Sequence, residues 1–147
     1  MVLEFVDRGG APVADALVYA YHTSAKGWYS DKGAHIRASS GDVKHARLFG
    51  YVRTDEHGRA ELRTIRPAGY PRSELPSHIH LGLTVDGKGI GVGEVRFADD
   101  PRMTETMRRQ SVREGDVIVQ VEMDAAGSQK GRARFTVDVP ARRPESR

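Results

Sequence analysis

The chain has 147 residues, no cysteine and a formal net charge of +3. That length suits one domain with its own core, and the lack of cysteine excludes disulfides and thiolate metal sites. Mild basicity gives little reason to expect an acidic partner, and the five tyrosines and single tryptophan interleave poorly with the basic residues, so nucleic-acid binding is not expected.

Short strand-like runs alternate with turn signals along the whole chain. Met1 leads straight into the first, Val2–Val6, with no apolar signal region and no run long enough to span a bilayer; a soluble cytoplasmic protein with no membrane partner is expected. Asp7-Arg8-Gly9-Gly10 turns the chain into a second strand, Ala16–His22, with Val18, Ala20 and His22 on one face and Leu17, Tyr19 and Tyr21 on the other. Residues 23–46 lack apolar periodicity and predict a loop long enough to suggest function. Arg47–Arg53, the turn Asp55-Glu56-His57-Gly58 and Arg59–Ile65 read as a hairpin. Ile79–Val85 and Ile90–Phe97 read as another, around Asp86-Gly87-Lys88-Gly89. Asp99-Asp100-Pro101 looks like a helix start, with Met103, Met107 and Gln110 on a short helix. Asp116–Met123 and Arg132–Val139 close the chain around Asp124-Ala125-Ala126-Gly127. About eight strands and at most one short helix predict an all-β, two-sheet sandwich over residues 1–140, with 141–147 as a disordered basic tail carrying Arg142, Arg143 and Arg147. No interface stripe stands out, and a homo-oligomer stays open.

The chemistry concentrates in Thr64–Leu81. His78 and His80 share one face of a strand, so their imidazoles can converge on a metal ion; two hydrogen-bonded histidines on a half-buried strand are the plainer alternative. Tyr70 stands eight residues before His78, behind a turn built from Pro67, Gly69 and Pro71, and can join the same site if that turn folds back. A cupin reading of the H-x-H pair fails, because Arg72 stands where its glycine belongs and Thr84 or Val85 where its glutamate belongs.

The run R-T-I-R-P-A-G-Y-P followed by P-S-H-I-H-L resembles the intradiol ring-cleavage dioxygenases, the non-haem iron family of catechol 1,2-dioxygenase and protocatechuate 3,4-dioxygenase. The opening V-D-R-G-G-A-P-V-A-D-A-L-V, the element R-T-D-E-H-G-R-A-E-L-R-T-I and R-F-A-D-D-P at Arg96–Pro101 match further family elements, so the resemblance covers nearly the whole chain. The matches begin at the family's first hairpin, without the N-terminal helical region of many catechol dioxygenases, so a bare catalytic sandwich is expected, with a missing upstream segment the alternative. The resemblance implies Fe(III) held by Tyr29 (in the G-x-Y element Gly27-Trp28-Tyr29), Tyr70, His78 and His80, with Tyr70 the ligand displaced by substrate. This donor set suits a ferric ion: a hard trivalent cation prefers anionic oxygen and favours phenolate over phenol, whose free pKa is near ~10. Two phenolates and a hydroxide cancel its charge. The implied reaction is attack of O2 on a chelated catechol-like substrate, with cleavage between the two hydroxylated carbons to a muconate-type diacid.

Two positions depart from the family. Leu75 replaces its arginine before the first histidine, and Glu94 stands at its glutamine. Arg72, in the short stretch between Tyr70 and His78, is the expected replacement cation, with Arg96 a second candidate. Lys32, Arg37, Lys44 and Arg47 are either a solvated basic face or a greeting for a substrate carboxylate. His22, His35, His45 and His57 are expected at the surface or in loops. Two other functions stay open: a non-catalytic transthyretin-like binding module, and a zinc or copper site built on the H-x-H pair with one tyrosine.

Overall fold

The computed structural model describes residues 1–29 and 46–140. Most of the predicted long loop lies outside the described residues, including Lys32, His35, Arg37, Lys44 and His45, and so does the basic tail 141–147.

Two sheets enclose one core. The smaller has strand order β11-β1-β4, from β1 (Val2–Asp7), β4 (Arg59–Glu61) and β11 (Arg132–Val137), with β1 and β11 parallel and Phe5 opposite Phe135. The larger runs β3-β2-β5-β7-β8, from β2 (Leu17–His22), β3 (Leu48–Arg53), β5 (His78–Val85), β7 (Val95–Phe97) and β8 (Val117–Val119), with β6 (Lys88–Ile90) also paired to β5. A separate ribbon joins β9 (Glu122–Met123) to β10 (Gln129–Lys130), and the helix α1 spans Glu105–Glu114. Alternation sends Leu3 and Phe5, Val18 and Ala20, Ile79, Leu83 and Val85, Val95 and Phe97, and Ala133, Phe135 and Val137 into the core. Phe5 and Phe135 stack at 5.5 Å between centroids.

The all-β sandwich with one helix is as expected, but four elements differ. Arg59–Ile65 is not the return strand of a hairpin with Arg47–Arg53: β4 is only three residues long and pairs with β1 in the other sheet. Buried Thr54 makes the corner, donating its hydroxyl to Val13 O (2.7 Å) and accepting from Ala16 N (2.9 Å), which ties β3's end to the connection between β1 and β2. The helix starts later than Asp99–Pro101. Thr104 is its N-cap, accepting from Met107 N, and Gly115 closes it in a left-handed conformation (φ 81°). Asp116–Met123 is broken into β8 and β9, and β6 and β7 divide Ile90–Phe97.

That last break matters for function. Leu83 pairs with Ile90, yet Ile79 pairs with Val95, so the returning chain carries one extra residue between the two ladders. A one-residue slip flips every side chain to the other face. Here it puts Val95 and Phe97 in the core and turns Glu94 and Arg96 outward, beside His78 and His80.

Three turns reuse one device. Asp7, Asp55 and Asp124 each accept with Oδ1 from the backbone N–H groups two and four residues on. The aspartate of R-F-A-D-D-P does something else. Asp100 accepts from Ser77 N (2.8 Å), Ser77 Oγ (2.8 Å) and Arg102 N (2.8 Å), and so pins the residue preceding His78. Burial alone would push the Asp100 carboxyl up, but these hydrogen bonds and the Arg102 charge outweigh it and hold the group below the ordinary carboxylate range. Its contribution to stability is therefore present above that range and lost as pH falls through the lowered folded value. Asp100→Ala should cost about 1–2 kcal/mol at neutral pH. In urea denaturation, the gap to wild type should close progressively below the ordinary carboxylate pKa.

Candidate metal centre

β5 has two different faces. Ile79, Leu83 and Val85 anchor it in the core, leaving His78 and His80 on the outer face, where His78 is buried and His80 half-buried. Two loops bring tyrosines over them. Gly27 takes a positive φ (79°) and packs against the Gly69 carbonyl so closely that a side chain there would collide with it. The glycine of Gly27-Trp28-Tyr29 therefore lets the Tyr29 loop dock on the loop carrying Tyr70. The two loops are stitched by Thr23 Oγ1 donating to Ala68 O (2.6 Å) and Ala68 N donating to Ser24 O (3.0 Å). Arg47 N donates to Tyr29 O (2.9 Å) and fixes the far side.

The result is a convergence of two phenol oxygens and two imidazole nitrogens. The Tyr29 and Tyr70 hydroxyls are hydrogen-bonded to each other. Tyr29 Oη lies 2.8 Å from His80 Nε2, Tyr70 Oη 2.9 Å from His78 Nε2 and 3.4 Å from His80 Nε2, and the two Nε2 atoms are 3.1 Å apart. Donors each ~2 Å from a common ion stand about 2.8–3.5 Å from one another, so these spacings fit one cation at the centre.

The far side of each ring sets which nitrogen is offered. His78 donates Nδ1–H to Pro76 O (2.8 Å), and His80 Nδ1 lies 2.8 Å from Glu94 Oε1. With Nδ1 protonated for these acceptors, both Nε2 lone pairs face the phenols. His78, His80 and Glu94 also bring three possible ligand atoms within 4.8 Å of one another, which suggests a two-histidine, one-carboxylate site. The arrangement argues against it, because Glu94 lies behind His80, on the Nδ1 side, away from both phenols.

Electrostatics favour a cation. Desolvation, then the Tyr70 hydrogen bond, pushes the Tyr29 phenol far above its ordinary value. Desolvation likewise raises Tyr70, partly offset by its hydrogen bond with Tyr29. Neither phenolate is sustainable here without a positive charge between them. Desolvation lowers His78, keeping it neutral and able to donate a lone pair. For Glu94, burial works upward, but the His80 hydrogen bond and the Arg96 charge outweigh it and hold the carboxyl below its ordinary range.

The four sequence-predicted ligands thus come together. Arg72 does not join them: it is exposed on the turn after Tyr70 with left-handed backbone (φ 60°). Arg96 is buried and committed to carboxylates, with Nε 2.8 Å from Asp116 Oδ2 (off the hydrogen-bond axis, hence an ion pair) and Nη2 3.3 Å from Glu94 Oε2. Exposed Leu75 leaves the family arginine's place without charge. His22 corrects its surface expectation. It is buried, its pKa is lowered by desolvation, and its ring bonds to Thr23 O (2.7 Å) and Thr64 Oγ1 (2.7 Å). His57 is exposed in its turn, as expected.

Sequence reasoning missed Arg102, whose Nη1 donates to Tyr70 O (3.1 Å) and Leu75 O (3.3 Å), clamping the loop that presents Tyr70. It also missed Arg66, stacked on Phe97 at 3.8 Å and paired with Asp99 at 2.6 Å. Both lie beside motif residues, but no spacing marks an arginine as a loop clamp. A cleft of about 480 Å³ lined by Met1, Leu62, Thr64, Phe97 and Gln129 contains none of the four donors. Among the described residues no helix is long and apolar enough to cross a membrane.

The sequence profile described as Dioxygenase matches residues 2–139. The chain is 30% identical to the catechol 1,2-dioxygenase of Acinetobacter baylyi over 132 residues, covering 79% of this chain and 40% of that protein. It is 33% identical to the protocatechuate 3,4-dioxygenase beta chain of Burkholderia cepacia over 103 residues, covering 65% and 43%. Its fold superposes on the dioxygenase domain of a dioxygenase–carbohydrate-binding fusion from Streptomyces sp. SirexAA-E with a TM-score of 0.68 at 22% identity, covering 95% of this chain and 78% of that one. The chain belongs to the intradiol ring-cleavage dioxygenase family. It spans less than half the length of these curated relatives.

Glu94→Leu should weaken metal binding at the cluster about 10–100-fold, because Glu94 holds the His80 ring, whereas Glu94→Gln, which keeps an acceptor, should weaken it less. Competition with a chelator of known affinity reads both.

Proposed function

We propose that the chain is a non-haem Fe(III) dioxygenase that cleaves a catechol-type ring between its hydroxylated carbons. Both atoms of O2 enter the muconate-type product. The observation that carries this reading is the convergence of Tyr29, Tyr70, His78 and His80 through two phenol oxygens and two Nε2 atoms. Family membership supports the same reaction class.

The four residues would hold the ion, two as phenolates and two as neutral imidazoles. Bound there, a ferric ion supplies Lewis acidity to a chelating catechol and draws electron density from it, which opens the ring carbons to O2. Tyr70 is assigned the displaced role. It sits on a loop held by Arg102 rather than within a strand, so its phenol can move while the histidines stay fixed. Its phenolate oxygen would take one of the two catechol protons and the charge-balancing hydroxide the other, so that the catecholate dianion replaces the two negative charges lost from the site. Tyr29 is assigned the retained role: both loops are tied at the tyrosine carbonyl, but Tyr29 is buried whereas Tyr70 is half-buried.

Arg72 is proposed as the substrate-side cation. Its exposure just beyond Tyr70 lets it approach a substrate from solvent, whereas Arg96 already faces Asp116 and Glu94. A zinc or copper site using the histidine pair and one tyrosine is less well supported, because both tyrosines reach the donor cluster.

Tyr70→Phe should retain iron but lose turnover by about 10²-fold or more, followed as muconate-type absorbance from catechol in air. Arg72→Ala should also keep its iron and lower turnover. Full activity in Tyr70→Phe would contradict the proposed displacement.

A further inference from the structure

The outer face of the larger sheet is aromatic on one side of the donor cluster and charged on the other. Glu94 and Arg96 lie toward β8. Toward β3, Tyr21 is the cross-strand partner of His80 and stacks on it at 4.5 Å with a 12° interplanar angle. Tyr19 stacks on Tyr21 at 5.4 Å, and Tyr51 lies 4.8 Å from Tyr19. Phe49 borders both Tyr19 and Tyr51. The rings form a continuous ledge from a candidate iron ligand to the sheet edge, where Phe49 is 58% and Tyr51 63% exposed.

A second observation marks the same place. Gly82 faces Tyr19 across the ladder, two residues along β5 from His80. A strand interior disfavours glycine, and the usual structural reasons are missing here. Gly82 has no positive φ, and an added Cβ would meet only ordinary contacts, 3.6 Å from the Tyr19 Cβ. The fold does not need a bare backbone at that point, whereas a ligand lying on the sheet beside His80 does. A contiguous exposed apolar patch beside a site is a candidate ligand-binding surface.

We propose that Tyr21, Tyr19, Tyr51 and Phe49, with Gly82 as floor, form a stacking subsite for the second ring of a two-ring polyphenol whose catechol ring occupies the Tyr29–Tyr70–His78–His80 cluster. This rests on the ring-cleavage reading for the first ring. Tyr19 lies on the cross-strand diagonal from His80, about 7–8 Å away, a span that two linked rings cover. Tyr21 and Tyr19 are stacked on His80 and on each other, and along β3 the exposed Phe49 and Tyr51 are flanked on the same face by Arg47 and Arg53, so the centre of the ledge offers aromatic area.

The test compares 4-phenylcatechol with catechol on the iron-loaded protein. It takes Kd by anaerobic calorimetry and kcat/KM in air, for wild type, Phe49→Ala/Tyr51→Ala and Gly82→Val. Wild type should favour 4-phenylcatechol by about tenfold. Both variants should lose that preference while handling catechol as wild type does. The exposed pair tests the ledge without disturbing the core, and Gly82→Val tests the floor with the rings intact. Equal preference in wild type and variants would overturn the subsite. So would sedimentation showing that the ledge is buried between two copies and that Phe49→Ala/Tyr51→Ala separates them. If neither compound is cleaved but the binding preference persists and falls in the variants, the subsite stands and the ring-cleavage reading fails.

Discussion

The structure depends on the two-sidedness of β5. One strand must give Ile79, Leu83 and Val85 to the core and His78 and His80 to the opposite face. Burial of the first set fixes the strand's register, because a slip of one residue would bury the histidines and expose the aliphatics. The imidazoles are therefore positioned by the hydrophobic effect acting on their neighbours, and they need no metal to be held in place. The bulge after Ile90 extends this logic to the next strand, turning Glu94 and Arg96 to the histidine face while Val95 stays in the core.

On that scaffold the charges are arranged in layers. Two phenols whose pKa is pushed up by desolvation and a His78 whose pKa is pushed down by it converge with His80 on a point that suits a cation. Behind His80 an ionised Glu94 fixes the ring, and behind Glu94 the buried Arg96 and Asp116 balance one another. Desolvation pushes the Asp116 carboxyl up, against the pull of the Glu94 backbone hydrogen bond and the Arg96 charge, so this outer layer is electrostatically costly. It meets the donor cluster through Glu94 against His80 Nδ1.

The sandwich and its four candidate donors were legible because they obey local rules. Period-two alternation exposed β1, β2, β5 and β11, and the H-x-H, G-x-Y and Y-P elements placed the donors. What was hidden depends on pairing rather than pattern. The pairing of β4 with β1 in the other sheet is a long-range contact that no residue near Arg59 announces, as are the bonds of Thr54 to Val13 and Ala16 at the corner before it. The slip between β6 and β7 is one residue in register, invisible in a run that reads as continuous from Ile90 to Phe97. Thr104 outcompeted Asp100 as helix cap because Asp100 was already engaged with Ser77. His22 looked like a surface histidine because a sequence cannot show Thr64 waiting across the fold to bond its ring.

The most direct test of the central claim is the visible spectrum of the iron-loaded protein, before and after anaerobic addition of catechol. Ferric iron on two tyrosinates predicts a broad charge-transfer band that shifts to longer wavelength when catechol binds and that weakens in Tyr29→Phe. A colourless protein that takes up no iron, or an iron-loaded protein whose spectrum ignores catechol, would contradict the account.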